Sequence, residues 1–314
     1  VSAIFSGETM EKNELNKNAM GGTELMEQRI RERLDPKLLD KFQIVSSRVR
    51  ELDPERKSIF WAHDLHNDPE AHQALGDERW KRFDLIVFVS HWQQQMYNAY
   101  LGVPYSAGIV IPNGIVPIED HKKPSDKINL IYTSTPHRGL ELLVPVFKHL
   151  QKIHDDIHLD VYSSFGLYGW KQRDDQFKDL FDVMDQTDGI TRHESVSNDE
   201  IREALKKAHI FAYPSIWPET SCLCLIEAMS AGCACVHSSL AALPETSKCL
   251  TDMYPYTEDA NIHAQRFAIR LDNAIQMRRI RRDVSGGVKH MMDFYHDVDR
   301  LANIWDANLR ALTN

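Results

Sequence analysis

No apolar run in this 314-residue chain reaches the length needed to cross a bilayer. The start of the chain also lacks a signal-peptide core, so a cytoplasmic protein is expected, with room only for weak peripheral membrane contact. Positive charge is in deficit. Lys and Arg number 37 against 46 Asp and Glu, a net charge of −9. With a sequence pI near 5.9, neither a nucleic-acid footprint nor a polybasic membrane patch is expected. Cysteine is scarce: Cys222, Cys224, Cys233, Cys235 and Cys249, four of them in Cys-x-Cys pairs. Zinc sites favour C-x-x-C spacing with further Cys or His at set distances, which is missing here. Reduced, mostly buried thiols follow, with neither metal site nor disulfide. Internal repeats and low-complexity tracts are absent too.

What remains is a composition ordinary for a soluble globular chain, long enough for two domains with full cores. Ala3-Ile4-Phe5, Phe42 to Val45, Ser58 to Ala62 and the continuous apolar run Leu85 to Ser90 read as strands. Thr23 to Leu34, with Thr23 as its cap, and Trp92 to Tyr100 read as helices between them. Such alternation predicts α/β layers on a parallel sheet. The run Ile109 to Ile115, broken by Pro112-Asn113-Gly114, marks a seam followed by the aperiodic stretch Glu119 to Lys127. A second alternation then begins. Strands are expected at Lys127 to Thr133, His158 to Tyr162, Ile210 to Tyr213 and Cys233 to His237. Helices are expected at Gly139 to His154 and at Ser197 to Ala208, the latter with a Ser197/Glu200 capping box. Met291, Met292, Tyr295, Val298, Leu301, Ala302, Trp305 and Leu309 form one face of a terminal helix that must dock on a core.

The run Trp217 to Gly232 is the richest in chemistry. Glu219 lies in a loop, Thr220 and Ser221 are candidate N-caps, and Glu227 sits two turns into the helix that follows. A helix start leaves several N–H groups unpaired, and its dipole favours anions and hydroxyl oxygens. A loop carboxylate beside those donors is suited to holding the hydroxyls of a sugar. The pair does not suit glycosidase chemistry. Glycosidase carboxyls lie about 5–9 Å apart, whereas eight helical residues span about 12 Å.

Glu219 and Glu227, with seven residues between them and Ala-Met-Ser-Ala-Gly after them, resemble the E-x7-E signature of retaining GT-B glycosyltransferases, especially family 4. Tyr213 to Pro218 is similar to the approach to that motif, and Gly21-Gly22-Thr23-Glu24 resembles the family's glycine-rich loop. Ile111 to Gly114 is similar to its interdomain joint, Thr133 to Glu141 to its donor-phosphate loop, and Phe294-Tyr295 with Trp305 to its returning helix. The landmarks occur in family order across nearly the whole chain.

The resemblance implies an α/β, GT-B fold: two doubly wound, Rossmann-like domains facing across a cleft. Residues 1–116, completed by a helix at 290–314, would form the acceptor side, and 117–289 the nucleotide-sugar side. It implies a retaining, metal-independent transferase with a nucleoside-diphosphate sugar donor, no cofactor, and a glycan, lipid-linked or small-molecule hydroxyl acceptor. Glu219 would bind donor-sugar hydroxyls, Glu227 the ribose, and Arg138 the diphosphate. Thr220, Ser221, Cys222, Leu223, Gly21 and Gly22 would complete the donor site, and His63 would line the cleft beside the sugar. The chain departs from the family in one respect: Thr133-Ser134 stands where it often carries Gly-Arg, leaving Arg138 as the clear cation unless His137, Lys171 or Arg173 compensates. Other GT-B chemistry (a sugar phosphorylase or nucleotide-sugar hydrolase) and a non-catalytic donor-binding subunit stay open, as does the oligomeric state.

His63 and, with less support, Asp64 and His91 sit at or near predicted strand ends, where parallel sheets bind ligands. His154 and His158 read as solvated surface residues, and Arg278, Arg279, Arg281 and Arg282 as a solvated helix face.

Overall fold

The computed structural model describes residues 21–49, 51–280 and 286–313. The expected strand at Ala3-Ile4-Phe5, and Arg281 and Arg282, lie outside the described residues. The chain begins with helices α1 (Gly22–Arg31) and α2 (Pro36–Leu39), then strands β1 (Phe42–Ser46) and β2 (Lys57–Ala62). Helix α3 (Pro69–Leu75), β3 (Leu85–Phe88), α4 (His91–Leu101) and β4 (Gly108–Val110) complete a parallel sheet of order β1-β2-β3-β4. The apolar run at Leu85 is covered on both sides. Val87 packs into a core with Met26, Ile30 and Trp61, whereas Ile86 and Phe88 pack into another with Leu75 and Tyr97.

The second half supplies β5 (Ile128–Thr133), α5 (Leu140–Leu150), β6 (Ile157–Tyr162), α6 (Lys178–Asp185), β7 (Ile190–His193) and α7 (Asn198–Lys207). Next come β8 (Ile210–Tyr213), α8 (Leu223–Ser230), β9 (Ala234–Ser238), α9 (Leu243–Thr246), β10 (Asp252–Tyr254) and α10 (Ala260–Ile280). Their sheet is parallel throughout, in the order β10-β9-β8-β5-β6-β7. Helix α7 opens with the Ser197/Glu200 capping box read from the sequence. At the seam, Ile111 packs into the core of the first sheet and Ile115 into that of the second.

The terminal segment corrects the expectation of a single helix. Two helices form, α11 (Gly286–His296) and α12 (Val298–Thr313). Met292 of α11 joins the second core, whereas Val298, Leu301, Ala302, Trp305 and Leu309 of α12 join the first. The break has a cause. Asp297 forms a parallel bridge with Ile115, where Ile115 N–H donates to His296 O (2.7 Å) and Val298 N–H to Ile115 O (2.9 Å). Met291 and Tyr295, expected on the buried face, are 43% and 39% exposed because α11 docks by its other side. Trp305 meets Trp61 edge-on at 4.8 Å.

His154 also departs from expectation. It is buried, with Nε2 against Asp272 Oδ1 at 2.6 Å and Nδ1 facing an Arg279 nitrogen at 2.9 Å, so Arg279 is partly spent on packing α10.

Trp305→Ala removes a fully enclosed ring from the first core. The unfolding free energy from urea titration is expected to fall by about 3–5 kcal/mol.

Candidate active site

The loops after β2 and β3 meet those after β8 and β9, Thr220 on His63 and Glu245 on His91, so the carboxyl ends of the strands build the site. After β5 the chain makes a single 3-10 turn, Pro136–Arg138, and enters α5 through Gly139. Gly139 has φ +119°, and a Cβ there would lie 2.2 Å from Pro214 O. Only glycine lets this loop press against the loop after β8. The close approach places Arg138 against Glu219, with the guanidinium donating to Oε1 at 2.7 Å. The Tyr213 hydroxyl donates to the same oxygen. Among the described residues nothing donates to Glu219 Oε2. The carboxylate is therefore anchored through one oxygen and free at the other, although the residue is only 6% exposed.

The charges here are well defined. Burial disfavours the Arg138 cation, but Glu219 and then the Tyr168 and Tyr213 hydroxyls outweigh it and hold the pKa well above the ordinary value. Burial, with Glu219 beside it, keeps the Tyr213 hydroxyl protonated. Arg138 also lies 6.0 Å from the Trp217 ring. His137 stacks on Phe165 (5.2 Å) and meets the edge of Trp217 (4.9 Å). Burial pushes its pKa down to about 4, and Arg138 and Arg173 add to the effect, so it is neutral. Lys171 does not compensate for the missing cation, since it pairs with Glu194 at the surface. Arg173 lies over the Trp170 ring, at 4.5 Å.

Helix α8 begins one residue later than expected, with Cys222 as its N-cap and no side-chain cap bond. Thr220 and Ser221 are not caps. The Thr220 hydroxyl donates instead to His63 O (2.7 Å), across to the first sheet, and Ser221 O accepts from Asn113 at 3.4 Å. Among the described residues, the N–H groups of Ser221, Cys222 and Leu223 have no acceptor. This open helix start lies two residues beyond Glu219. Cys222 and Cys224 are free thiols, 3.3 Å apart.

Gly21 and Gly22 meet this wall directly. A Cβ on Gly21 would lie 2.7 Å from the Tyr168 ring, and one on Gly22 would lie 3.2 Å from Leu223. Gly21, not Thr23, is the N-cap of α1, and it makes no side-chain cap bond. Tyr168, which sequence reasoning missed, lies in the loop after β6. Its hydroxyl pKa is raised by burial and feels Arg138, Glu219 and Glu24. The rule that parallel sheets bind ligands at the carboxyl ends of their strands is the signal that could have found it.

His63 follows β2. Its N–H donates to Ser47 Oγ (3.2 Å), its ring rests on Trp61 (4.7 Å), and Nε2 is buried without a partner among the described residues. Burial pushes the ring's pKa down to about 3, leaving it neutral. Asp64 O accepts from Gln93 (2.8 Å) and Tyr97 (3.1 Å) of α4. The backbone N–H groups of His91 and Trp92, at the start of α4, donate to Glu245 of α9 at 2.8 and 2.9 Å.

Glu227 is placed differently from Glu219. It is 2% exposed and accepts from Arg29 of α1 (2.9 Å) and, at both oxygens, from Asn198 (3.1 and 3.0 Å). Arg29 also donates to Gly114 O and Asn198 Oδ1, each at 2.9 Å. Neither Arg29 nor Asn198 was picked out from the sequence. Both line a cavity of about 390 Å³ between α1 and α7, with Leu25, Gln28 and Asp199. A larger cavity, about 600 Å³, lies between the polar face of β6–β7 and α7; it shares Asp199 with the first and includes neither Arg138, Glu219 nor His63.

A family model described as glycosyl transferases group 1 matches residues 118–281. No curated protein matches in sequence. Among solved structures, the chain is similar to the pneumococcal O-GlcNAc transferase GtfA in complex with UDP and GlcNAc. There the TM-score is 0.66 and identity 13%, covering 83% of this chain and 53% of that one. It is also similar to a glycosyltransferase from Rickettsia africae ESF-5 (TM-score 0.68, identity 15%, coverage 97% and 85%). Anabaena HepE in complex with UDP and glucose gives TM-score 0.65, identity 14% and coverage of 82% and 72%. The chain thus spans about half the length of GtfA. At these identities the likeness is one of fold, and that fold is GT-B.

Two outcomes follow from the geometry. Arg29→Met strands a buried carboxylate and is expected to cost about 3–5 kcal/mol in chemical denaturation, most of it recovered in the double variant with Glu227→Met. The second concerns acid. His63 is held at about 3, and His137, His209, His237 and His296 at about 4. The unfolded chain, titrating near 6.5, then binds more protons from roughly pH 6.5 down to 4. Stability present above that window is lost as pH falls through it. The urea midpoint should be lower at pH 5 than at pH 7, with proton uptake on unfolding by calorimetry.

Proposed function

The chain belongs to the glycosyl transferases group 1, and we propose that it moves a hexose-type sugar from a nucleoside-diphosphate donor to a hydroxyl acceptor, with retention and without a metal. The observation that carries this reading is the Arg138–Glu219 pair, placed beside the unpaired N–H groups of Ser221, Cys222 and Leu223. Glu219, held through Oε1, turns Oε2 to the hydroxyls of the donor sugar. Arg138 and the N–H groups receive the diphosphate, whose charge grows as the bond to the sugar C1 breaks. Fixed donors aimed at developing charge lower the barrier most, and no metal is then needed for that task. The acceptor oxygen bonds to C1 on the face the diphosphate leaves, and its proton passes to the departing phosphate oxygen. Neutral His63 lines the acceptor side.

The nucleoside is assigned to the cavity between α1 and α7, whose volume falls in the usual range for small-molecule sites. Glu227, held behind the lining residues Arg29 and Asn198, would receive the ribose hydroxyls once Arg29 yields one of its bonds. The solved complexes of GtfA with UDP and GlcNAc, and of HepE with UDP and glucose, support a nucleotide-sugar donor by analogy of fold. The cleft side chains suit a glycan, a lipid-linked sugar or a small alcohol as acceptor.

A thermal-shift screen of UDP-, GDP-, ADP- and TDP-sugars tests the donor, since a ligand that binds only the folded state raises the melting point. One donor class is expected to stabilise the chain. Glu219→Ala and Arg138→Ala should keep the fold by circular dichroism while lowering turnover by about 100-fold or more. Undiminished transfer by both variants sinks the assignment. Donor binding without transfer to any acceptor points instead to a binding subunit, and sugar released without an acceptor points to a hydrolase.

A further inference from the structure

The wall of the cleft built by the first sheet continues outward as an aromatic surface unused by the chemistry above. Gln93 and Tyr97 of α4 both donate to Asp64 O, which fixes the loop after β2 to the helix as one rigid piece. On its outer side, His66 stacks on Tyr100 with centroids 4.3 Å apart and planes at 29°, and meets Trp92 nearly edge-on at 6.4 Å. Tyr100 is 67% exposed. Three rings braced against one another at the surface present flat apolar area with little side-chain freedom left to lose on binding.

Two further observations say what the surface fits. The first is position. Trp92 starts at the cleft, where its N–H meets Glu245, and His66 lies three residues from His63, whose carbonyl meets Thr220. From Trp92 to Tyr100 the helix rises roughly 12 Å, enough for about two sugar rings. The second is charge. Burial raises the Asp64 pKa, Asp68 and Glu70 lie close enough to add to it, and Ser47 and Arg48 oppose it, leaving three carboxylates to one guanidinium around this loop. An acidic border repels an anionic lipid surface but accepts hydrogen bonds from hydroxyls. Among the described residues the buried His66 Nδ1 has no partner, and burial lowers the ring's pKa.

We propose that His66, Trp92 and Tyr100 form a stacking shelf for the outer sugar rings of a neutral glycan acceptor. A pyranose offers an apolar C–H face and a rim of hydroxyls, which matches flat rings bordered by carboxylates. The proposal rests on reading the cleft as a glycosyl-transfer site.

The test is an array of neutral malto-, cello-, manno- and chito-oligosaccharides, probed with the full chain in the presence of UDP. At least one glycan is expected to bind. Tyr100→Ala and His66→Ala should each weaken it by about tenfold, Tyr100→Trp should retain it, and the UDP thermal shift should be unchanged in all three. No binder on the array, equal binding by Tyr100→Ala, or binding to phosphatidylserine vesicles in place of glycans overturns the shelf. Glycan binding lost in Tyr100→Ala, with no thermal shift by any nucleotide sugar, supports the shelf while overturning the donor reading.

Discussion

Arg29 and Glu227 meet where the two sheets face each other, both almost sealed from solvent. Burying two charges is unfavourable unless every lone pair and proton finds a partner. Here Asn198 covers both carboxylate oxygens, and the spare guanidinium donors go to Gly114 O and Asn198 Oδ1. This network ties four parts of the molecule together: α1, the joint between the sheets, the start of α7, and α8. The position of α1 then brings Gly21 onto Tyr168 and Gly22 onto Leu223. Glu227 and Glu219, only eight positions apart, thereby acquire different surroundings. One is enclosed by partners from both sheets, and the other keeps an oxygen free.

The donor wall gathers its charge differently. Arg138 is its clear cation, and the neighbouring His137 is neutral. On the proposed reading, charge for a departing phosphate would come from one guanidinium and from backbone N–H groups that cost no reorganisation. Such an arrangement depends on backbone placement more than on side-chain number, which is why Gly139 matters. Its contact with Pro214 O sets the distance between the two loops that carry Arg138 and Glu219.

Much of this was legible from local pattern. The apolar run at Leu85, the capping box at Ser197 and the spacing of Glu219 and Glu227 each carry their signal within a few residues, and each element forms. Signals that depend on distant partners were not legible. Ser221 looks like a cap by composition, but Thr220 is drawn to His63 O and the helix starts after Cys222. His154 looks like a surface residue until Asp272 and Arg279 close over it. Arg29 has nothing nearby in sequence to announce a partner on α8, and the helix break at Asp297 is set by Ile115. Tyr168 lies in a loop with no periodicity to read.

The bridge between Ile115 and Asp297 has a mechanical meaning. The chain crosses between the sheets twice, and the two crossings are fastened to each other by backbone hydrogen bonds. A body joined at two separate points resists rotation, whereas one joined at a single strapped point swings about it as on a pin. Were the sheets to turn relative to one another, with their other contacts released, this strapped joint would serve as the axis. Displacement then grows with distance from it. Arg29, bonded to Gly114 one residue from Ile115, sits on a short lever arm.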